Sequence, residues 1–442
     1  MREHLGDRTV VRILLLALVL APLLGVGLLS AAEVRGSEAA RLPDQAAKPF
    51  AERSPVVPPR NDTLVVTGHG FGSDRGAITA FAPDGRLRYY DDARSDYFDV
   101  DPSPAGSRTV LYVAEAAYEG EGECDGCEVS VVERANLTTG EVTTLHRSVT
   151  TLTWHDVDRI NRTHYLVADM DRDAAFVLNV SSGLVVWEWR AQSAFPVHTG
   201  GAYPEDWTHI NDVTWLNGTV MVSVRNQDRV VFVRPDGTVN RSRTLGCEDC
   251  HDVLYEQHNP DYIPAERGGP AVVVADSEND RVVEYARTNG SWERTWVWTD
   301  RRLSWPRDAD RLPGGRTLIT DTHGGRVFVV NRTGAVVWAT TLVNGYDAEL
   351  LSTGDESAGG TSAAALGYRS RSGAGETVFA GSVLETVLPA RVRHAVEFLA
   401  PWHWDLTDLL LIGVSGAFLL GWGAIEGYWA VGRARARLDG DA

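Results

Sequence analysis

Short stretches of alternating hydrophobic and polar residues dominate the chain from Asn61 to about Val343. Each stretch is rich in β-branched residues, and short turns separate one stretch from the next. This pattern predicts strands rather than helices. Two uncharged apolar runs flank it, Ile13 to Ala32 and Leu409 to Ile425, of which the first is long enough to cross a bilayer and the second marginally so. The sequence therefore predicts a strand-rich body between two hydrophobic ends.

The strand pattern repeats at a spacing of roughly 40 to 60 residues. Copies begin near Leu64, Thr109, Leu152, Asp212, Ala271 and Arg311. Six turns set the register, each ending in glycine: PDG at 83–85, TTG at 138–140, SSG at 181–183, PDG at 235–237, TNG at 288–290 and RTG at 332–334. Repeated units of several short strands are typical of a propeller. We therefore expect an all-β protein, a six-bladed β-propeller flanked by an N-terminal and a C-terminal hydrophobic helix.

The same patterns divide the chain into seven segments. The predicted segments are a transmembrane anchor or signal peptide at 1–32, a Pro-rich linker at 33–60, the propeller at 61–350, a Gly/Ser-rich loop at 351–376, an amphipathic juxtamembrane helix at 377–400, a transmembrane helix at 406–430 and a cytoplasmic tail at 431–442. The helix at 377–400 is expected to rest its apolar face on the membrane surface.

Basic residues lie outside both apolar runs, which favours cytoplasmic termini and an external middle. They are Arg2, Arg8, Arg12, Arg433, Arg435 and Arg437, although Arg35, Arg391 and Arg393 on the inner flanks weaken the asymmetry. A retained anchor is favoured for the first run, and a cleaved signal peptide is the alternative. Either version places the propeller on the extracellular face of the cell membrane.

Eight of the 13 asparagines begin an N-x-S/T sequon, more than chance predicts. Glycosylation of such sites requires a surface loop outside the cytoplasm, although Asn, Ser and Thr also cluster in turns. The candidate glycosylation sites are Asn61, Asn136, Asn161, Asn179, Asn217, Asn240, Asn289 and Asn331.

The formal net charge of −18 argues against a nucleic-acid partner, which would need a basic surface. Concentrated salt screens the self-repulsion that such a charge causes. We interpret the charge as adaptation to a salty, halophilic exterior, with an ordinary acidic protein as the alternative.

Three histidines occupy equivalent places, each just before a predicted inner strand: His155, His209 and His258. In a propeller, the first residues of successive inner strands converge at one end of the central channel. Arg225 ends the strand VMVSVR and is expected in the same region. Three imidazoles and one guanidinium should therefore face one cavity.

Several strings around these residues resemble the arylsulfate sulfotransferase (arylsulfotransferase) family. They are WHDVDRINRTHYLVADMD at 154–171, EDWTHINDVTWLNGTVMVSVRNQDRVVFV at 205–233 and QHNPDY at 257–262. The resemblance spans about residues 62–345, and D-W-x-H-x-N followed by S-x-R is its most specific part. It implies a six-bladed, exported enzyme that moves a sulfuryl group from a phenolic sulfate ester to a phenol without a nucleotide donor.

The resemblance also implies a role for each matching residue. His258 matches the nucleophile that becomes transiently sulfated, His209 and His155 match its supporting histidines, and Arg225 and Asn211 match substrate-binding residues. A neutral imidazole is a competent nucleophile at neutral pH, and a guanidinium fork suits two sulfate oxygens. Two half-reactions through His258 imply ping-pong kinetics. The only implied partners are the sulfate donor, the phenol acceptor and the membrane, and no cofactor is required.

All four cysteines lie in two C-x-x-C pairs, Cys124/Cys127 and Cys247/Cys250. An exported protein favours two local disulfides, and the resemblance implies a disulfide just before the nucleophile, where Cys247 and Cys250 stand. One structural zinc site shared by both pairs is an alternative that we do not favour. The C-x-x-C-H pattern of haem attachment at 247–251 is a weaker one.

Two other functions are compatible with the repeats. A non-catalytic cell-surface propeller that binds a partner or ligand would need no convergence of the histidines and Arg225. A quinone-cofactor dehydrogenase shares the T-G-x-x-x-W pattern of the blades, but that class usually has more blades.

Overall fold

The computed structural model describes residues 11–26, 38–70, 76–118, 127–342, 344–354, 358–372, 389–399 and 406–438. Over these residues, 24 strands form six four-stranded antiparallel sheets. The molecule divides into two compact units, one made of residues 41–376 and 390–399, the other of residues 1–40, 377–389 and 400–442.

Each sheet is one blade, and its strands are named in the order in which they pair. Blade 1 contains β24 (Gly345–Leu350), β1 (Leu64–Gly68), β2 (Ala77–Phe81) and β3 (Leu87–Asp91). Blade 2 contains β4 (Asp96–Pro102), β5 (Thr109–Ala116), β6 (Glu128–Asn136) and β7 (Val142–Thr150). Blade 3 contains β8 (Trp154–Arg159), β9 (His164–Asp169), β10 (Ala174–Asn179) and β11 (Leu184–Arg190).

Blade 4 contains β12 (Ile210–Leu216), β13 (Thr219–Val224), β14 (Arg229–Val233) and β15 (Leu245–Gly246). Blade 5 contains β16 (His258–Ile263), β17 (Ala271–Asp276), β18 (Arg281–Thr288) and β19 (Ser291–Trp298). Blade 6 contains β20 (Pro306–Leu312), β21 (Arg316–Asp321), β22 (Arg326–Asn331) and β23 (Val336–Thr341).

Five α-helices lie in the described residues: α1 (Val11–Val26), α2 (Glu38–Ala46), α3 (Ala363–Leu366), α4 (Ala390–Leu399) and α5 (Leu406–Leu438). Single 3₁₀ turns cover Phe50–Glu52, Ala191–Ser193, Arg225–Gln227, Ala265–Arg267 and Ser277–Asn279.

The ring closes by pairing the last strand with the first. In blade 1, β24 is antiparallel to β1, with Leu350 opposite Leu64. The inner strands β4, β8, β12, β16, β20 and β24 each contact the next around the ring. The six-bladed propeller predicted from the repeats is therefore confirmed.

The predicted turns connect the third and fourth strands of every blade. All six terminal glycines have positive φ, between 72° and 89°: Gly85, Gly140, Gly183, Gly237, Gly290 and Gly334. Glycine adopts this region without the steric penalty of a Cβ, so these turns explain why the repeat was legible in the sequence.

Hydrophobic clusters fill the space between neighbouring blades. Successive residues of a strand point to opposite faces. Val65 therefore packs between blades 1 and 2, whereas Leu64 and Val66 pack between blades 1 and 6. Because each strand is covered on both faces, its hydrophobic residues form nearly continuous runs.

The inner strands repeat a short polar motif that ties the blades together. It reads FDVD at 98–101, HDVD at 155–158, NDVT at 211–214, RDAD at 307–310 and YDAE at 346–349. Three first aspartates accept a backbone N–H of the next blade: Asp347 from Val100 at 2.8 Å, Asp99 from Val157 at 3.3 Å, and Asp156 from Val213. Buried hydrogen bonds to carboxylates are stronger than neutral ones, so this ring of contacts fixes the spacing of the inner strands.

Several repeat boundaries differ from the sequence-based ones. Copies assigned to Thr109, Ala271 and Arg311 start at or beyond the second strand of a blade, because the inner strands begin earlier, at Asp96, His258 and Pro306. The inner strands carry buried aspartates, and this polar content interrupts the hydrophobic alternation by which a strand is recognised.

The segments beside the propeller are more ordered than expected. Residues 33–60, predicted as a linker, contain α2, and Leu42, Val56 and Val57 join the cluster between blades 1 and 6. Residues 351–376, predicted as a loop, contain α3, and Ser362 caps its first turn by accepting the Ala365 N–H at 3.2 Å. Apolar residues in these segments pack on exposed blade faces, which local sequence could not show.

Two apolar helices form the other unit. Within α5, Asp408–Arg433 is long and apolar enough to cross a membrane, and α1 is a shorter apolar helix. Arg12 Nη2 donates to Glu426 Oε2 at 2.7 Å, which pairs the start of α1 with the latter part of α5. The helix α5 extends through the predicted tail to Leu438, beyond the expected boundary at 430.

Replacing Asp156 by alanine should lower the free energy of unfolding by about 1–3 kcal/mol, because the Val213 N–H would lose a buried acceptor. Asp156→Asn should lose less, since its amide oxygen still accepts this hydrogen bond. Urea denaturation of the full chain in detergent measures both. Asp84→Ala, in an exposed turn, is the control. Equal losses in the asparagine and alanine variants would contradict this account.

Candidate active site

A single cavity of about 650 Å³, the mouth cavity, opens where the inner strands begin. The structure places all four predicted residues on its lining: His155, His209, Arg225 and His258. They come from blades 3, 4 and 5, so the cavity collects side chains from successive repeats.

A β-bulge aims these side chains. All six inner strands have a register shift at the residues nearest the mouth. Bulges re-aim a side chain and are frequent next to active sites. In five strands the residue before the first aspartate of the polar motif stands at this shift: Phe98, His155, Asn211, Arg307 and Tyr346. One backbone device thus presents a different side chain in each blade.

His258 is oriented by a two-step hydrogen-bond chain. Its Nδ1 lies 2.7 Å from Ser277 Oγ, and the Ser277 hydroxyl donates to the Pro306 carbonyl at 2.7 Å. Because the hydroxyl proton is directed at Pro306, Nδ1 must carry the imidazole proton and Nε2 the lone pair. Burial, reinforced by Arg307 and Arg225, lowers the pKa of His258 well below its usual value. His258 is therefore a neutral imidazole with a free nucleophilic nitrogen.

His209 forms a dyad with Asp206, whose Oδ1 lies 2.7 Å from its Nδ1. Burial and the nearby Arg225 lower the pKa of His209 to about 4. Burial alone would raise the pKa of Asp206, but the hydrogen bond with His209 brings it down to about 2. The ring of His155 lies 5.3 Å from that of His209, and burial with the nearby His209 lowers its pKa as well. The dyad leaves Nε2 of His209 as a base.

Arg225 sits in the 3₁₀ turn that follows β13. Its Nη2 donates to Glu256 Oε2 at 2.6 Å, while its Nε is buried without a hydrogen-bond partner. Glu256 also accepts from Arg391 Nη2 at 3.0 Å. Arg225 therefore faces the cavity with part of its charge already compensated.

Arg307 and His69 also line the mouth cavity, and sequence reasoning did not single them out. Arg307 is 5% exposed, and its guanidinium lies 4.6 Å from the Trp305 ring and 4.8 Å from the Tyr346 ring. Nδ1 of His69 lies 2.9 Å from Asp96 Oδ1. The sequence prediction rested on histidines before inner strands, and it placed the start of the sixth copy at Arg311, beyond Arg307. The repeated residue-Asp-x-Asp register was the signal that would have found Arg307.

Residues 133–241 match the family described as Arylsulfotransferase (ASST). The family resemblance is confirmed over this segment. The arylsulfotransferase segment contains His155, His209, Asn211 and Arg225, whereas His258 and Arg307 follow it. No curated protein matches the chain.

Solved propellers are similar in fold at low identity. A chain of a nidogen/laminin complex has 13% identity and a TM-score of 0.45, covering 66% of this chain and 98% of that one. A putative 6-phosphogluconolactonase from Bacteroides fragilis has 12% identity and a TM-score of 0.40, covering 65% and 97%. The periplasmic gluconolactonase of Pseudomonas aeruginosa has 12% identity and a TM-score of 0.39, covering 65% and 98%. These likenesses say nothing about the chemistry of the arylsulfotransferase segment.

Asn211, expected on the substrate, is fully buried and does not line the mouth cavity. Its Nδ2 donates to the carbonyl of Gln257 at 2.9 Å. Gln257 directly precedes His258, so Asn211 holds the backbone that carries the nucleophile candidate. The asparagine is a positioning residue in this structure.

The cysteines lie away from this chemistry. Cys247 and Cys250 form a disulfide, Cys127 is also disulfide-bonded, and Cys124 lies outside the described residues. In the described part of the chain, the one cluster close enough to share a metal ion is Asp228, Asp249 and His251, and it contains no cysteine.

The eight sequon asparagines all lie outside the buried core. Asn61, Asn161, Asn217 and Asn289 are exposed, and Asn136, Asn179, Asn240 and Asn331 are half-buried. Modification of these sites remains a prediction.

The helix α4 packs on the rim of the mouth cavity, which differs from the membrane-surface helix expected over 377–400. Its start is at Ala390, and residues 377–388 lie outside the described residues. His394 is buried, with Nδ1 3.0 Å from Glu278 Oε2 and Nε2 2.9 Å from Asp280 Oδ1. Burial alone would lower the pKa of His394, but these hydrogen bonds raise it to about 9. Polar partners on blade 5 outcompete an interfacial position for this helix.

The docking of α4 should weaken in alkali. Because the folded pKa of His394 is raised, its stabilising contribution is complete below about 6.5 and is lost as the pH rises through about 9. Arg393 and His323, which also face His394, do not offer a replacement acceptor or donor for both carboxylates. Tryptic cleavage at Arg391 and Arg393 should therefore accelerate between about pH 8 and 10, when normalised to a small peptide substrate. His394→Gln should cleave fast at every pH, and a flat profile in the wild type would refute the prediction.

Proposed function

We propose that the mouth cavity moves a sulfuryl group from a phenolic sulfate ester to a phenol through a sulfohistidine at His258, with no nucleotide donor. The family match and the propeller fold support a sulfotransferase-type function. The observation that carries the proposal further is the tautomer of His258, a buried neutral imidazole whose Nε2 lone pair shares a cavity with two guanidiniums.

In the first half-reaction, Nε2 of His258 gives its lone pair to the sulfur of the bound ester. The bond between sulfur and the aryl oxygen breaks, and that oxygen leaves with the bonding pair as a phenolate. The transferred group bears charge on its equatorial oxygens, so positioning and electrostatic stabilisation supply most of the rate, as in phosphoryl transfer. Arg225 and Arg307 are the cationic side chains placed for this.

In the second half-reaction, the oxygen of an acceptor phenol attacks sulfur, and the N–S bond returns its electron pair to Nε2 of His258. The phenol proton passes to Nε2 of His209, and Asp206 stabilises the imidazolium that forms. The phenolate released first balances this proton over the full cycle. A positioned base of this kind typically contributes roughly 10²- to 10⁴-fold.

The remaining lining suits an aromatic ring. Phe98, Leu152, Met170 and Trp305 supply apolar surface beside the imidazoles. Small-molecule sites combine such surface with a few convergent polar groups. A phenolic ester fits this division, with its ring on the apolar side and its sulfate on the guanidiniums.

We further propose that the enzyme works on the extracellular face of the cell membrane, anchored by α5. The length and apolar composition of Asp408–Arg433 support an anchor. The acidic surface supports small-molecule substrates over nucleic acid, and the reaction as written needs no cofactor.

Incubation with an aryl sulfate in the absence of acceptor should add one sulfuryl group to the peptide that contains His258. Mass spectrometry of the rapidly digested protein measures the adduct, and phenol release measures turnover. His258→Ala should show neither, whereas His198→Ala, an exposed histidine outside the cavity, should match the wild type. Turnover with an adduct on a different residue would contradict the assignment. Neither turnover nor adduct across many donors would favour a non-catalytic binding propeller.

The first half-reaction should keep its rate as the pH falls from about 7.5 to about 5. The folded pKa values of His258 and His209 lie below that of a free imidazole, about 6.5, so both remain neutral over this range. Rapid-mixing measurements of the phenol burst at each pH test this. A half-maximal burst rate near about pH 6.5 would show that the nucleophile titrates as an exposed histidine.

A further inference from the structure

Arg307 is the buried cation of the mouth cavity whose charge is least compensated. Its Nε and Nη1 are buried without hydrogen-bond partners. In the described part of the chain it forms no ion pair with a carboxylate, and its guanidinium instead lies over the faces of Trp305 and Tyr346.

Other buried arginines of the propeller are paired. Arg311, four residues further along β20 and fully buried, lies 3.0 Å from Glu284. Arg281 and Arg326 each lie 2.6 Å from an aspartate, Asp276 and Asp321. Even Arg225, across the same cavity, donates to Glu256. The contrast is local, because Arg307 and Arg311 share one strand.

An unpaired buried charge is unfavourable for folding. Such groups persist where a ligand completes their contacts, and their removal often stabilises the protein at the cost of function. Burial lowers the pKa of Arg307 to about 10, so the guanidinium is still protonated at neutral pH. Two planar donors thus stay available for an anion that the protein itself does not supply.

The position of Arg307 directs those donors at the reacting group. It stands at the same bulge position of blade 6 as His155 does in blade 3, and Pro306 beside it accepts the hydrogen bond that orients His258 through Ser277. Its charge also contributes to the lowered pKa of His258, His209 and His155. A tetrahedral oxyanion bonded to Arg307 would therefore lie beside the nucleophile.

We propose that Arg307 is the principal oxyanion-binding residue of this site and binds the sulfate oxygens of the donor. Arg225, held by Glu256, then takes the second place in sulfate binding. This inference rests on the proposed function for the identity of the anion, a sulfate monoester, but the binding of an oxyanion by Arg307 can be tested without turnover.

The test is calorimetric titration of the full chain in detergent with an aryl sulfate, in a His258→Ala background that prevents turnover. Adding Arg307→Gln should weaken binding by roughly 10- to 100-fold, the range for a lost hydrogen-bonded charge. Arg307→Lys should recover part of the affinity, because the charge returns without the planar fork. Adding Arg225→Gln should weaken binding less than Arg307→Gln does.

Thermal unfolding without sulfate separates this role from a structural one. Arg307→Gln, and Arg307→Met as a second variant, should melt no lower than the parent, whereas Arg311→Gln should melt lower because Glu284 loses its partner. Affinity of Arg307→Gln within about twofold of the parent would overturn the proposal. If wild-type turnover is absent but inorganic sulfate still binds and requires Arg307, the proposed reaction fails while the oxyanion site stands.

Discussion

The bulge on each inner strand, with the aspartate that follows it, determines where the rest of the site lies. The aspartate turns inward and, in blades 1 to 3, accepts a main-chain N–H of the next blade, so the strands cannot slide against one another. The bulge frees the preceding residue from the strand ladder and turns it to the mouth of the channel. Changing that one residue changes the chemistry of the mouth without changing the ring. Phenylalanine, histidine, arginine and tyrosine occupy it in four of the blades.

The electrostatics of the cavity follow from this arrangement. Imidazoles and guanidiniums from successive blades share a poorly solvated space, so each disfavours a positive charge on the others. The guanidiniums, whose pKa values are far above neutrality, keep their protons, and His155, His209 and His258 lose theirs. The site is thus cationic through its arginines and nucleophilic through its histidines at the same pH. Hydrophobic clusters between all blades provide the stability that such a concentration of like charge requires.

Much of the fold could be predicted because the repeat is recorded locally. Glycines such as Gly85 and Gly237 mark the same turn in every blade, and their positive φ is a requirement that sequence displays directly. His155, His209, Arg225 and His258 could be placed at one mouth because ring geometry brings equivalent positions together. Asn211 could not be assigned correctly, since its side chain turns to the Gln257 carbonyl and not to the cavity. Arg307 was overlooked because its strand begins with a proline and carries charged residues, so hydrophobic alternation did not reveal it.

The helix α4 shows why the wall of the site is not a property of the blades alone. Glu256 accepts from Arg225 inside the cavity and from Arg391 on α4, so one carboxylate joins the helix to a sulfate-binding candidate. Asp280 lies within hydrogen-bond distance of His394 and accepts the main-chain N–H of Trp305 at 3.0 Å. Trp305 has a φ of 50°, unusual for a bulky residue, and a strained backbone persists only where its surroundings hold it. Since Trp305 packs against both Arg307 and His258, the same carboxylate that docks α4 also helps to hold the ring between the oxyanion site and the nucleophile. A segment more than 80 residues beyond these positions therefore completes the cavity, through ion pairs that no blade repeat could have announced.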